Sequence, residues 1–364
     1  MEQVEKAIYP DHKGTVLPND GAWTRNGQLS SRLVRQIRWV GQVCLLALIV
    51  GGIGLSIRGV SYAGADRPVQ IGVLTDSWGP TPHYFGLRDG LIELGYRENI
   101  DFYLGVGPTE GNRHILIRAA EDLIELGANI LYADSIAVAK AAQQVTTEIP
   151  IVFTSVEDPV GSGLIQNYAR PGGNITGVAS LDIELGPKRL EIFKDLVPTL
   201  KRVLFLYDIT DLYSEEAVKL IRPHAPRMGI ELVERAVHTK KEALTVLSQL
   251  QDQKIDGIIA PRCCSLDITG SILRATAKAP IPTIFTTAAY WIEHGGLASY
   301  GPNIYSSGRQ AARIVDKIIR GANPAKIPVE VNSKIEFAIN LQTAKALNLT
   351  VAREVIHLAD HIAP

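Results

Sequence analysis

The sequence predicts an α/β protein of two lobes, each a parallel sheet flanked by helices, preceded by one N-terminal transmembrane or signal helix. Three observations carry this reading. From residue 68 onward, short, continuously apolar runs alternate with amphipathic stretches, the pattern of strands buried on both faces between helices. The rhythm breaks once, at the segment RPGGNITG (170–177), and then restarts for a block of similar size. One uncharged apolar run, residues 39–57, stands before all of it.

Residues 1–38 read as a disordered cytoplasmic tail, because the stretch up to residue 30 is polar, rich in Gly, Asn and Asp, and shows no helical or strand period. Arg32, Arg35 and Arg38 then flank the apolar run WVGQVCLLALIVGGIGLSI. At about 1.5 Å rise per residue this run nearly spans a hydrocarbon core of about 30 Å. Three arginines before it, against Arg58 after it, place the N-terminus in the cytoplasm and the following domain outside. Two readings of the helix at 39–58 stand side by side. The small residues Ala63, Gly64 and Ala65 fit a signal-peptide cleavage site, which gives a secreted domain. The length of the run and of the tail before it fit an uncleaved anchor in the cell membrane. Cys44 lies near the start of the run, not after its end, which argues against a lipid-modified cysteine.

The elements follow in order. Residues 69–75 form a buried strand, and Tyr84, Leu87, Leu91 and Leu94 make one helical face that ends at Gly95, a helix C-cap. Residues 102–104 lie in a second strand. The stripe Leu116, Ala119, Leu123 and Leu126 closes at Gly127. Strand 129–133, helix 137–145 and strand 151–153 complete the first block. At Pro171, Gly172 and Gly173 turn chemistry redirects the chain. After a helix carrying Leu190, Phe193 and Leu196, strands at 203–207, 231–237, 257–260 and 283–286 alternate with helices at 215–221, around 243–250 and around 268–277. A helix with Ala311, Ile314, Val315 and Ile318, a proline-rich connection, a strand near 336–339 and a C-terminal helix end the chain. The expected division is 67–178 with about 299–325 for the first lobe, and 179–298 with about 330–364 for the second.

Composition narrows the function. The 364 residues carry a net charge of -1, so no basic face recommends nucleic acid as a partner. Cys263 and Cys264 are adjacent and read as two unpaired thiols at a strand end. No G-x-S-x-G elbow and no G-x-x-x-x-G-K loop occurs, and Gly105, Gly107 and Gly111 miss the dinucleotide spacing by one residue. His357 and His361, four apart on the expected last helix, fit either a metal pair or an exposed tail. The reading is a binding protein: no enzyme, no cofactor, no metal.

Two α/β lobes joined by crossovers create a cleft, and ligands of open parallel sheets sit outside the carboxyl ends of the strands. Short polar residues recur there. Thr75, Asp76, Ser77 and Trp78 follow the first strand, Asp134, Ser135 and Ile136 the third, and Thr154, Ser155 and Asp158 the fourth. Asp208, Arg262 and Thr286 follow strands of the second block. Ser135 is placed to cap the next helix, whose free N–H groups make a natural seat for a carboxylate.

Several stretches carry a family resemblance: Ile71-Gly72-Val73-Leu74, GLIELGY (90–96), RPGGNITG, KRLE (188–191), GGLASYG (295–301) and FAINLQTAKAL (337–347). In this order they resemble the ABC transporter substrate-binding proteins related to tryptophan/tyrosine-type binding components, over nearly all of 68–351. The resemblance implies a type I periplasmic-binding-protein fold, no catalysis, and capture of an amino-acid-like molecule or small carboxylate for delivery to an ABC permease with its ATPase subunits. It implies that Thr75, Ser77, Ser135, Ile136, Thr154 and Asp158 stand where such proteins hold the ligand carboxylate. Those proteins also present an acidic residue from the second lobe to the ligand ammonium. Here that stretch reads Pro261-Arg262-Cys263-Cys264 and is not acidic, and Arg262 fits either an anionic ligand group or a salt bridge at the rim. A membrane-anchored ligand sensor using the same fold is the alternative.

Overall fold

The computed structural model describes residues 67–77, 80–107, 109, 112–211, 213–261, 266, 268–287 and 289–363. The apolar run at 39–58, the tail before it, Trp78 and Arg262 to Cys264 lie outside the described residues. Among the described residues no helix is long and apolar enough to cross a membrane.

The first sheet has the strand order β11-β5-β4-β3-β1-β2, built from β1 (Val69–Leu74), β2 (Phe102–Gly107), β3 (Ile130–Ala133), β4 (Ile151–Val156), β5 (Ile175–Ala179) and the short β11 (Glu330–Val331). All its pairings are parallel. β3 and β4 are buried on every residue and β1 on its last four, as their largely apolar sequences require. Helices α1 (Pro82–Glu93), α2 (Leu116–Glu125) and α3 (Ile136–Val145) connect these strands. Gly95 and Gly127 both stand at φ +95° one residue beyond the caps of α1 and α2, a left-handed position that a side chain would strain.

The second sheet runs β13-β12-β10-β9-β8-β6-β7, from β6 (Arg202–Asp208), β7 (Glu231–Val237), β8 (Gly257–Ala260), β9 (Thr283–Phe285), β10 (Ala298–Pro302), β12 (Ile335–Asn340) and β13 (His361–Ala363). Its helices are α4 (Gly186–Leu196), α5 (Ser214–Ile221), α6 (Lys240–Ser248), α7 (Ile268–Thr276), α8 (Ala289–Glu293), α10 (Leu341–Ala346) and α11 (Arg353–His357). Aromatic anchors Phe193, Phe205 and Phe285 are fully buried here, as Phe102, Tyr132 and Phe153 are in the first lobe.

Four expectations need correction. The segment after Pro171-Gly172-Gly173 is not only a turn: Ile175–Ala179 is a fully buried strand, too short and glycine-broken to announce itself. The second sheet is not wholly parallel, because β10 and β12 pair antiparallel. β12 enters the second lobe from the first, so it runs away from the cleft, opposite to β10, and the last strand β13 follows it in parallel. Ala298–Pro302 and Glu330–Val331 are further strands that the sequence reading passed over. His361 starts β13, not a helix shared with His357, so the two do not share a helical face.

The chain passes between the lobes three times. It leaves β5 for α4, leaves β10 for α9 (Ile304–Ile319), which packs on α1, and leaves β11 for β12. Asn332, 1% exposed, laces the three passages together. Its backbone N–H donates to Ala179 O at 2.9 Å. Its Nδ2 donates to Asn303 O at 3.0 Å and Ser307 Oγ at 2.7 Å. Its Oδ1 accepts from Lys334 N at 3.1 Å. Arg189 on α4 adds a second tie: its Nε donates to Tyr300 O at 2.7 Å and its Nη2 to Asp182 Oδ1 at 2.6 Å.

Candidate functional site: the interlobe cleft

β1, β3 and β4 end side by side at the cleft edge of the first lobe, so the residues after them are brought together by sheet order. Thr75 Oγ1 donates to Asp134 Oδ2 at 2.7 Å, and Thr81, just before α1, donates to the same oxygen at 3.2 Å. Thr75 Oγ1 also accepts from Ser77 N at 3.1 Å, which turns the chain after β1. Ser135 is the N-cap of α3, accepting from Val138 N at 3.4 Å. Its hydroxyl donates to Asp76 Oδ2 at 3.3 Å. The seat expected for a ligand carboxylate, at the start of α3, is therefore beside the protein's own Asp76 carboxylate. Ile136 packs its side chain into the first-lobe core.

Asp134 is the most perturbed acid of this edge. Burial, and then the neighbouring Asp76 charge, push its carboxyl from 3.8 up to about 7, against the hydrogen bonds from Thr75 and Thr81. An acid with a raised native pKa favours folding fully below the unfolded value, and that contribution is lost as pH rises through the native one. Asp134→Asn removes the cost of the buried charge. The melting-temperature advantage of that variant over wild type is expected to be small near pH 4 and to grow up to and just above pH 7, as thermal unfolding across that range will show. An advantage that is constant with pH would show that Asp134 is ionised throughout.

Ser155 sits where the register between β4 and β5 shifts, and takes φ +55°, a strained setting for a non-glycine residue that costs about 1–3 kcal/mol. The irregularity brings its Oγ to 2.6 Å from His83 Nε2, on the first turn of α1. Thr154 does not reach the edge: it is fully buried within β4, its hydroxyl on Tyr132 Oη at 3.0 Å. Asp158 folds its carboxylate back onto Gly161 N at 2.7 Å. On the opposite lobe, Asp208 Oδ1 accepts from Thr210 N at 2.8 Å and Thr210 Oγ1 at 2.6 Å, holding the loop after β6.

The two lobes touch. Tyr213, from the loop after β6, donates its hydroxyl to Asp158 O at 3.0 Å and accepts from Asp158 N at 3.4 Å. Its ring joins the first-lobe core cluster with Val156, Leu164 and Ile165. Beside it lies a cavity of about 30 Å³ whose polar lining includes Glu157, Asp182, Arg189, Asp211, Tyr213 and Thr286. Of the residues expected from sequence, Thr286 lines this cavity; Thr75, Asp76, Ser77 and Ser135 gather on the first-lobe edge. Asp134 stood among the polar residues expected after the third strand; His83, Glu157, Arg189 and Tyr213 were passed over as ligand-site residues. Glu157 was within reach, since it directly follows a strand; Arg189 and Tyr213 become visible only when the lobes meet.

Residues 69–363 match the family model described as ABC transporter substrate binding protein. The tyrosine-binding protein of Clostridioides difficile (strain R20291) is 27% identical over 265 residues, 72% of this chain and 76% of that protein. The ABC domain from Streptococcus pneumoniae in complex with L-Trp aligns with a TM-score of 0.73 at 25% identity, over 81% of this chain and 100% of the other. A conserved domain protein from Vibrio cholerae gives 0.73 at 26% identity, over 81% and 100%. The two-lobe architecture matches type I periplasmic-binding-protein-like structures.

Proposed function

The chain belongs to the ABC transporter substrate binding protein family, and on that premise we propose that it captures a small amino-acid-like solute between its lobes and delivers it to an ABC permease. The observation that carries this reading is the cavity lined from both lobes, beside three crossing segments tied by Asn332 and Arg189. Loading goes with separation of the lobes, and the crossing segments are the hinge. Release of the Tyr213–Asp158 contact opens the cleft; a solute binding both lobes favours the closed form by its differential affinity.

In this reading Thr75, Asp76, Ser77 and Ser135 of the first lobe, and Thr286 of the second, reach the solute, while Thr154, Ser155, Asp158 and Asp208 shape the loops that carry them. The tyrosine- and L-Trp-binding relatives recommend aromatic amino acids as the first solutes to try. The domain works outside the cytoplasm, held by or released from the apolar segment at 39–58, with the permease and its ATPase as partners.

The test is a thermal-shift screen of the full-length chain against amino acids, amines, small carboxylates, amides and sugars. A solute at a hundredfold over its Kd stabilises by about 2.7 kcal/mol, which raises the melting temperature visibly. At least one solute is expected to do so. No shift anywhere in the panel would refute solute capture as the function.

A further inference from the structure

We propose that Tyr213 is a latch built into the fold: carried by the second lobe and seated in the first, it holds the cleft shut through contacts that involve no solute. This rests on the hinged two-lobe reading above and adds to it a closing element that is the protein's own.

The backbone and the side chain of Tyr213 belong to different lobes. Its carbonyl accepts from Ala217 N at 3.0 Å and begins α5, in the second lobe. Its ring lies across the cleft, 9% exposed, in one cluster with Val156, Leu164 and Ile165. Among the described residues, every other buried member of that cluster comes from the first lobe. The hydroxyl is satisfied in both senses by one residue, donating to Asp158 O and accepting from Asp158 N. Burial raises the phenol pKa above its ordinary value of 10, so the hydroxyl keeps the proton that it donates.

The seat is a long loop. Residues 157–174 join β4 to β5 without helix or strand, beyond the roughly 12–15 residues past which such loops are uncommon and usually functional. The loop does not need Tyr213 for its shape. Gly161 N donates to Asp158 Oδ1 at 2.7 Å, Ser162 N to Asp158 O at 3.0 Å and Leu164 N to Pro159 O at 2.9 Å. Gln143 Nε2, on α3, donates to Leu164 O at 2.9 Å, and Val329 N to Tyr168 O at 2.8 Å. The first lobe therefore forms the seat by itself. Opening exposes the ring and its apolar walls to water, so the hydrophobic effect favours closure with or without a solute.

The latch is separate from the hinge. The crossing segments leave from β5, β10 and β11, whereas β6, which leads to Tyr213, stands beyond β9 and β8 from β10. A cleft held shut in this way admits solute while it is unlatched, so the open fraction sets the rate of entry.

The distance between the lobes in the solute-free, full-length chain tests this. Spin labels carried by non-natural residues at the exposed positions Glu121 on α2 and Lys241 on α6 leave the three cysteines in place. α2 packs on β1 and β2 and α6 on β7, at the sheet edges farthest from the crossings, where opening moves the lobes most. Double electron–electron resonance is expected to show one predominant short distance in wild type. In Tyr213→Ala the ratio of closed to open chains is expected to fall at least about tenfold. Tyr213→Phe keeps the ring, loses the hydroxyl and is expected to lower the ratio about threefold; it carries the test if the alanine variant fails to fold. A wild-type chain that is mainly open, or distances unchanged in both variants, overturns the latch. Neither outcome bears on solute capture, which the thermal panel decides separately.

Discussion

Arg189→Met is expected to destabilise the protein by about 3–5 kcal/mol, the cost of breaking a buried ion pair by removing one partner. The side chains of Arg189 and Asp182 are 3% and 6% exposed, with Nη2 and Oδ1 2.6 Å apart. Methionine leaves Asp182 without its counter-charge and deprives the Tyr300 carbonyl of its donor. Chemical denaturation will read the loss. The companion double variant, Arg189→Met with Asp182→Leu, is expected to recover much of it, because neither charge is then left buried alone. Loss below about 1 kcal/mol in the single variant would mean that water reaches Asp182 and that the tie is not buried in solution. Since Asp182 lies on the first crossing segment and Tyr300 in β10 just before the second, the single variant is also expected to loosen the hinge.

Gly308→Ala is expected to cost about 2–3 kcal/mol by overpacking. α1 and α9 cross at glycines: a Cβ on Gly308 would stand 2.1 Å from His83 O, and one on Gly86 2.0 Å from Tyr305 O. Both obstacles are backbone, so the helices themselves must part. The displacement acts on the site, because α1 carries His83 against Ser155 and follows Thr81 on Asp134. Solute affinity should therefore fall with stability. Gly105→Ala is the control: its nearest neighbour, Leu123 Cδ2, is 3.9 Å away, and unfolding should shift little. Equal effects of the two substitutions would show that the helix crossing is not tight.

Much of this architecture was legible because burial on both faces of a parallel sheet leaves a simple mark, a continuous apolar run such as Ile130–Ala133. The cap glycines at 95 and 127 were legible for an equally local reason. What was not legible depends on contacts between distant segments. β5 carries Gly177 inside it, where a Cβ would stand 2.2 Å from Phe153 O, so its glycine reads as a turn in sequence and as close strand packing in the fold. β11 is two residues long and exists because β5 offers it an edge.

The site divides along the same line. Thr75, Asp76, Ser77 and Ser135 were legible as polar residues after strands, and they do converge. Their chemistry was not. The helix start beside Ser135 reads as an anion seat in isolation, and only the fold brings Asp76 into it from a position 59 residues away. Arg189 stood in a recognisable motif, yet its role appears only when Asp182 and Tyr300 close around it. Tyr213 carries no sequence signal at all, because its function is to reach the other lobe.

The central claim is that one solute binds between the lobes and is held by both. Calorimetric titration of the strongest solute from the thermal screen tests it most directly, using wild type, Ser135→Ala from the first lobe and Thr286→Val from the second. The account predicts one site per chain and weaker binding, by about tenfold, in each variant, since each loses a hydrogen bond to a charged or polar solute. Full affinity in both variants would contradict it and move the solute out of the cleft.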